Sequence, residues 1–298
     1  MTYKTNTDRA VHALGNGRLL VYGVGADIIN VYGPPYSSTS LLNGQWTFAD
    51  GSSPIYSSQR EKGTSVWRHS FLKNGGCAGT SEEFVATDVP AYLTKVDFQL
   101  DTNFNIKLPK EIILMDNQDS LMLVAPDTAR IFIYPSGEKA YLTITCWGEG
   151  WKGIEEQPDS ISLKFARGTS YMAIVGGSSY PDVVVNTGQA FQLSYAQHIQ
   201  KVYDVDDGVV KRLVKTGSSK NGTLPRREND SVQIHELCEN IAFMIKAQQS
   251  EDGGIMAGHQ YPLAYIRDQY GTCRGLVALG LFEEARRNLE FRFNKWKF

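Results

Sequence analysis

Cysteine is scarce in this 298-residue chain. The four residues (Cys77, Cys146, Cys238, Cys273) are widely separated and form no CxxC. That argues against a disulfide scaffold or a cysteine-held zinc site, and the four read as buried free thiols. Histidine numbers only five and is scattered, so no metal-ligand spacing and no Ser-His-Asp arrangement can be argued. Gly-x-Ser-x-Gly is absent. Gly15-Asn16-Gly17 and Gly23-Val24-Gly25 are weak as phosphate loops because no helix follows either. No cofactor and no metal are therefore expected. No window approaches 18 uninterrupted apolar residues, so no membrane span is expected. Net charge is −2 with both signs interspersed, which gives no electrostatic case for nucleic acid. The first residues, Met1 to Arg9, are polar and lack an apolar signal core, so no Sec-type leader is visible and the expected setting is cytoplasmic.

What is present, over the first two-thirds, is a succession of short apolar or alternating runs bounded by turn residues. They are Arg18–Val24, Asp27–Tyr32, Gln45–Phe48, Val66–Phe71, Glu83–Ala86, Leu93–Leu100, Glu111–Met115, Ser120–Ala125, Arg130–Tyr134, Ala140–Cys146, Ser160–Phe165 and Ser170–Val175. Asn43-Gly44 has the chemistry of a tight hairpin turn. Pro135-Ser136-Gly137, Arg167-Gly168 and Asp116-Asn117-Gln118-Asp119 separate other runs. So many strands without intervening helical periodicity predict a mainly β, antiparallel sandwich, and a large one. One face of each sheet is expected to be core and the other wet.

Beyond residue 189 the pattern changes. Phe191–Tyr203 fits a closing strand or a first helix, and Val209–Val214 is briefly helical. Thr216 to Asp230, rich in Gly, Ser and Pro, has linker composition. The expected domains are a sandwich over 1–205, a linker over 206–230, and the start of a helical domain over 231–298. Residues 231–248 carry a helical stripe of Ile234, Leu237, Cys238, Ile241 and Ile245, with Asp230 as N-cap. A second helix is predicted from about Gln269 to Leu279, with Cys273, Leu276, Val277 and Leu279 on its apolar side and Gly280 as its stop. A third starts at Phe282, with Ala285, Leu289, Phe293 and Trp296 on one face and Glu283–Arg287 paired. Phe291, Phe293, Trp296 and Phe298 would each gain about 1.5–3 kcal/mol from burial. They lead to the expectation that a longer natural protein continues past Phe298.

The helices flank one unusual stretch, Gly253 to Gly271. It combines glycines, the rings of His259, Tyr261, Tyr265 and Tyr270, and the adjacent Arg267-Asp268. Aromatic faces stack on sugar rings, while Arg and Asp supply donors and acceptors for hydroxyls. A sandwich, a linker and then helix–SEDGGIMAGHQYPLAYIRDQYGTCRGLVALG–helix resembles the glucoamylase-like inverting glycosidases of the six-hairpin group. In that group a β-supersandwich precedes an (α/α)6 barrel. The likeness is architectural over about residues 10–298 and motif-specific over about 249–280. Tyr265-Ile266-Arg267-Asp268 looks like the family's aromatic-x-Arg-Asp turn. The resemblance implies that Arg267 and Asp268 bind an oligosaccharide substrate, with Tyr265 as a ring platform; His259 and Tyr261 are further candidate contacts.

The family's catalytic carboxylates lie on later helices, so the resemblance places them beyond Phe298 and leaves this chain an incomplete barrel, inactive alone. Inverting hydrolysis needs one protonated and one ionised carboxyl group across the bond. Asp268, beside Arg267, suits a fixed acceptor better than a proton donor. Glu251 and Asp252 read as solvated loop carboxylates. Two alternatives stay open: a sugar-binding or structural sandwich module, with Trp147 and Trp151 as a second candidate platform or as edge packing, and a sugar phosphorylase of the same plan.

Overall fold

The structure, a computed structural model, describes residues 11–36, 42–107, 113–117, 120–125, 140–157, 160–213, 228–258 and 264–295. The strands are β1 (Val11–Gly15), β2 (Leu20–Val24), β3 (Asp27–Tyr32), β4 (Asn43–Phe48), β5 (Ile55–Arg60), β6 (Trp67–Lys73), β7 (Gly76–Val85) and β8 (Ala91–Phe98). They continue as β9 (Thr102–Lys107), β10 (Ile113–Asn117), β11 (Ser120–Ala125), β12 (Ala140–Gly148), β13 (Trp151–Gln157), β14 (Ser160–Phe165) and β15 (Gly168–Gly177). Two antiparallel sheets form, in the orders β1-β2-β3-β4-β9-β14-β13 and β10-β11-β12-β15-β8-β7-β6-β5. This is the expected mainly β sandwich.

Period-2 alternation sets which side chains meet between the sheets. Trp46 and Phe48 of β4, Phe71 of β6, Phe98 of β8, Phe104 of β9 and Phe165 of β14 all point into one core. The Trp46 ring lies 4.8–5.8 Å from those of Phe71, Phe98, Phe104 and Phe165. Each such ring contributes about 1.5–3 kcal/mol by burial. The Asn43-Gly44 hairpin is overturned. Both residues lie within β4, and Gly44 pairs with Ile106 and Ile28. Its glycine serves packing, since a Cβ there would sit 2.2 Å from Phe104 Cζ. Asp116–Asp119 does separate a hairpin pair, because Asn117 is in register with Ser120. Arg167-Gly168 instead carries the chain from one sheet to the other. Strands β1, β5, β9 and β13 were not anticipated; Ser57, Ser58, Gln59, Asn103, Asn105, Glu155 and Glu156 dilute their alternation. Arg130–Tyr134 and Pro135-Ser136-Gly137 lie outside the described residues.

Helices α1 (Tyr180–Ala190) and α2 (Tyr195–Arg212) follow the last strand. Ser179 caps α1, and Ser194 with Gln197 forms a full capping box at α2. The strand alternative for Phe191–Tyr203 falls, and Val209 belongs to the same continuous helix. Ala190, Ile199 and Val202 cover the face formed by Phe84, Leu93, Ala173 and Val175. The eight-stranded sheet is thus buried on both faces here, not wet on one as expected.

Helices α3 (Glu228–Gln248), α4 (Ile266–Leu279) and α5 (Phe282–Lys295) complete the chain. Asp230 sits inside α3 rather than capping it. Val209, Leu213, Phe243, Ile245, Cys273, Leu276 and Ala285 form the helical core. The face predicted for α5 holds at Ala285 alone among its described residues: Glu284, Ala285, Asn288 and Phe291 are buried, while Leu289 and Phe293 are 52% and 65% exposed. Leu237 of α3 and Val277 of α4 are likewise exposed. The polar residues win because they are partnered: Asn288 donates to Gly253 O in the adjoining loop, and the Glu284 carboxylate accepts from Arg212 and Lys246. Glu283 pairs with Arg286, not Arg287. All four cysteines are free, and two are buried as expected, but Cys77 is exposed. Most of the linker stretch, Trp296 and Phe298 lie outside the described residues. Among those described, no helix is long and apolar enough to cross a membrane.

Candidate functional site

The turn between β1 and β2 meets the C-terminus of α3 through backbone atoms. The Tyr36 hydroxyl accepts from Gly17 N at 2.8 Å and donates to Ala247 O at 2.7 Å. Burial pushes this phenol's pKa far up, the Gly17 N–H working against it, so it stays a donor. Gly17 O accepts from Glu251 N at 2.9 Å. A Cβ at Gly15 would lie 2.2 Å from Ala247 O, so only glycine permits this approach.

The loop after α3 is held by amide side chains. Gln269 accepts from Ile255 N at 2.9 Å and from Asn288 Nδ2 at 2.5 Å, and donates to Ile255 O. Gln249 donates to Gly253 O and Glu284 O, at 3.2 and 2.8 Å. Met256 packs on Leu20, Tyr22, Tyr32 and Tyr36, the outward face of β2 and β3. Asp252 accepts from Ser250 Oγ and, at 3.4 Å, from Gly254 N, so it folds onto its own loop. Gly253 is left-handed at φ 96°, and a Cβ there would meet Arg287 O at 2.2 Å.

Gln269, which holds this stretch, lies in the first turns of α4. Tyr265 is the N-cap and is 44% exposed. Arg267 is exposed, and Asp268 is half-buried. They form a rim with Tyr270, over which Arg274 lies 5.7 Å from the ring centre. Arg267 and Asp268 are not an ion pair with each other, because successive helical residues diverge by about 100°. His259 and Tyr261 lie outside the described residues. Trp147 is packed against Tyr171 and Phe191, and Trp151 against Phe165.

Two features escaped the sequence. The first is a cleft of about 570 Å³ between β1, β5, β6 and α3. Val11, Trp67, Arg60, Leu237, Asn240 and Met244 line it. Arg60 donates to Asn240 Oδ1 at 2.7 Å and lies 5.0 Å over the Phe243 ring. The second is a buried group of His12, His69 and Glu83. Burial alone would raise the Glu83 carboxyl pKa, but the two imidazoles and their hydrogen bonds drive it well below the usual range. The alternation Trp67, His69, Phe71 was the available signal, since it puts His69 on the core face. Nothing linear links it to His12 or Glu83.

No protein-family profile and no curated protein matches the chain. Solved structures do. A bacterial glucoamylase complexed with acarbose superposes with a TM-score of 0.68 at 13% identity, covering 93% of this chain and 48% of its own. A family GH92 inverting mannosidase from Bacteroides thetaiotaomicron gives 0.55 at 9% identity, covering 81% of this chain and 37% of its own. The chain thus has the fold of sandwich-bearing glycosidases and spans about half the length of the glucoamylase.

Proposed function

We propose that this chain is the sandwich and first helices of an inverting glycoside hydrolase of glucoamylase type. It acts with further helices that carry the two catalytic carboxylates. The substrate is an α-glucan or related oligosaccharide, and the rim of α4 forms part of the sugar subsite. Arg267 and Asp268 contact sugar hydroxyls, and Tyr265 offers a ring face. The observation that carries the reading is the amide lattice of Gln249, Gln269 and Asn288, which fixes the loop and leaves the α4 rim facing solvent. A subsite needs this preorganisation, because a hydroxyl-binding pair that must first be ordered loses affinity. The shared fold is a second support. Phosphate-dependent turnover by an assembled enzyme would instead assign it to the phosphorylases.

The test is acarbose titration of the 298-residue chain, followed by NMR. Weak binding lost in Arg267→Ala and kept in Trp67→Ala supports the reading. The converse favours a sugar-binding module, for which the cleft beside Trp67 is the specific observation. Saturable hydrolysis of a maltooligosaccharide by this chain alone would overturn the assignment of catalysis to further helices.

A further inference from the structure

His12, on β1, belongs to the seven-stranded sheet, while His69 on β6 and Glu83 on β7 belong to the eight-stranded one. They meet between the sheets at one corner of the sandwich. Their side chains are 2%, 0% and 3% exposed. His12 Nε2 is 2.5 Å and His69 Nε2 is 3.2 Å from Glu83 Oε1, and one ligand atom of each residue lies within 4.8 Å of the others. Tetrahedral zinc, with bonds near 2.0–2.2 Å, requires donors about 3.3 Å apart. Rotamer adjustments of under about 1.5 Å reach that spacing.

Three further observations point to a ligand. His69 Nε2, 3.2 Å from Glu83 Oε1, makes no well-directed hydrogen bond, and Ser81 Oγ, which belongs to the residue paired with His69 across the strands, makes none. Two orphaned buried polar atoms in one place are costly unless something binds them. The groups behind the donors are also in place. Ser58 Oγ is 2.8 Å from His69 Nδ1, and the Tyr92 hydroxyl donates to Glu83 Oε2 at 2.5 Å. Metal-ligating imidazoles and carboxylates are characteristically oriented by such outer contacts. Finally, room is reserved for the His12 ring: a Cβ at Gly23 would lie 2.7 Å from His12 Nε2. Trp67 stacks on that ring at 4.5 Å, and the cleft lined by His12, Trp67 and Ser58 gives an entry path.

We propose that His12, His69 and Glu83 bind one divalent transition-metal ion, zinc by donor set, which ties the two sheets together at this corner. The fourth position faces the Ser81 side and takes water.

The experiment uses the 298-residue chain stripped with EDTA and titrated with Zn²⁺, and separately with Co²⁺ as a visible-absorption probe. One ion per chain, a Tm raised by several degrees at excess zinc, and Co²⁺ bands of four-coordinate intensity are expected. His12→Gln and His69→Gln should each weaken binding by about 100-fold, and Ser58→Ala by about tenfold. His235→Ala removes the i, i+4 pair between half-buried His235 and buried Glu239, away from this corner, and should leave binding unchanged. Absence of both a zinc-dependent Tm shift and Co²⁺ bands in the unmutated chain overturns the proposal, whether or not the variants fold. So does binding that disappears in His235→Ala.

Discussion

The corner at Glu83 and the seam at Tyr36 both join one layer of this molecule to another, by opposite means. At the corner, ionisable side chains from two sheets meet almost wholly buried. At the seam, backbone N–H and carbonyl groups meet, with a phenol and primary amides between them. The corner depends on the charge of Glu83 and on the room that Gly23 leaves for the His12 ring. The seam is nearly blind to pH along its amide lattice, yet it cannot admit one extra methyl group. A buried carboxylate near the seam titrates differently: Asp206 of α2 accepts from Ser65 N and Oγ at 2.6 and 2.8 Å. Burial pushes that carboxyl up to about 6, against the lowering by Ser65, Lys246 and Arg60. Glu83 and Asp206 are thus both buried and shifted in opposite directions. Two imidazoles and a phenol converge on the first, and the cations near the second are too distant to offset desolvation.

The largest effect should come from breaking the corner. Glu83→Ala leaves two imidazoles and the Tyr92 hydroxyl buried without their acceptor, and should cost about 3–5 kcal/mol, read by urea denaturation with EDTA present. A loss below about 1 kcal/mol would make the corner incidental.

A pH series sharpens the contrast. The Glu83 pKa is depressed on folding, so its contribution is complete above its unfolded value of 4.5 and is lost as pH falls further. The Asp206 pKa is raised from 3.8 to about 6, so its contribution is complete below 3.8 and is lost as pH rises through about 6. Asp206→Asn should therefore gain up to about 3 kcal/mol relative to the parent between pH 4 and 7. Parallel stability curves for the two proteins would refute the raised carboxyl.

Breaking the seam comes next. Gly15→Ala puts a Cβ into Ala247 O and should cost about 1–3 kcal/mol, with no change in the pH profile. Thermal melts at two pH values check both parts. Smallest is Arg267→Ala at the exposed rim, expected within about 0.5 kcal/mol of the parent in stability while removing acarbose binding.

Most of the sandwich was legible because inward aromatic and β-branched residues recur every second position. Asp27–Tyr32, Ser120–Ala125 and Ser160–Phe165 match their strands residue for residue. The α3–α5 spans were legible for the same kind of reason at helical spacing, with Gly280 left-handed at φ 84° where the stop was expected. The α1 helix was not, because Val183-Val184-Val185 reads as strand until Val183 packs against β15 beside Gly177. The apolar face of α5 was misread because hydrophobicity ranks Leu289 and Phe293 above Asn288. Burial of Asn288 is decided by its bonds to Gly253 O and Gln269, and no helical wheel contains those partners. The rim was half legible: Tyr265, Arg267 and Asp268 are neighbours in sequence, but their fixed presentation depends on Gln249 and Asn288, one in the preceding loop and one in the following helix.

The sequence by itself determined most strands and their inward side chains, the spans of α3, α4 and α5, and where α4 must stop. Those are properties of local periods, cap residues and backbone freedom, which operate over a few residues. Only the tertiary structure decided that His12, His69 and Glu83 share one buried corner, that Gly44 is a packing glycine, and that Asp206 is a raised acid. Each of these depends on partners that are brought close by the sheets and helices, and desolvation and Coulomb forces act over that distance in space whatever the separation along the chain.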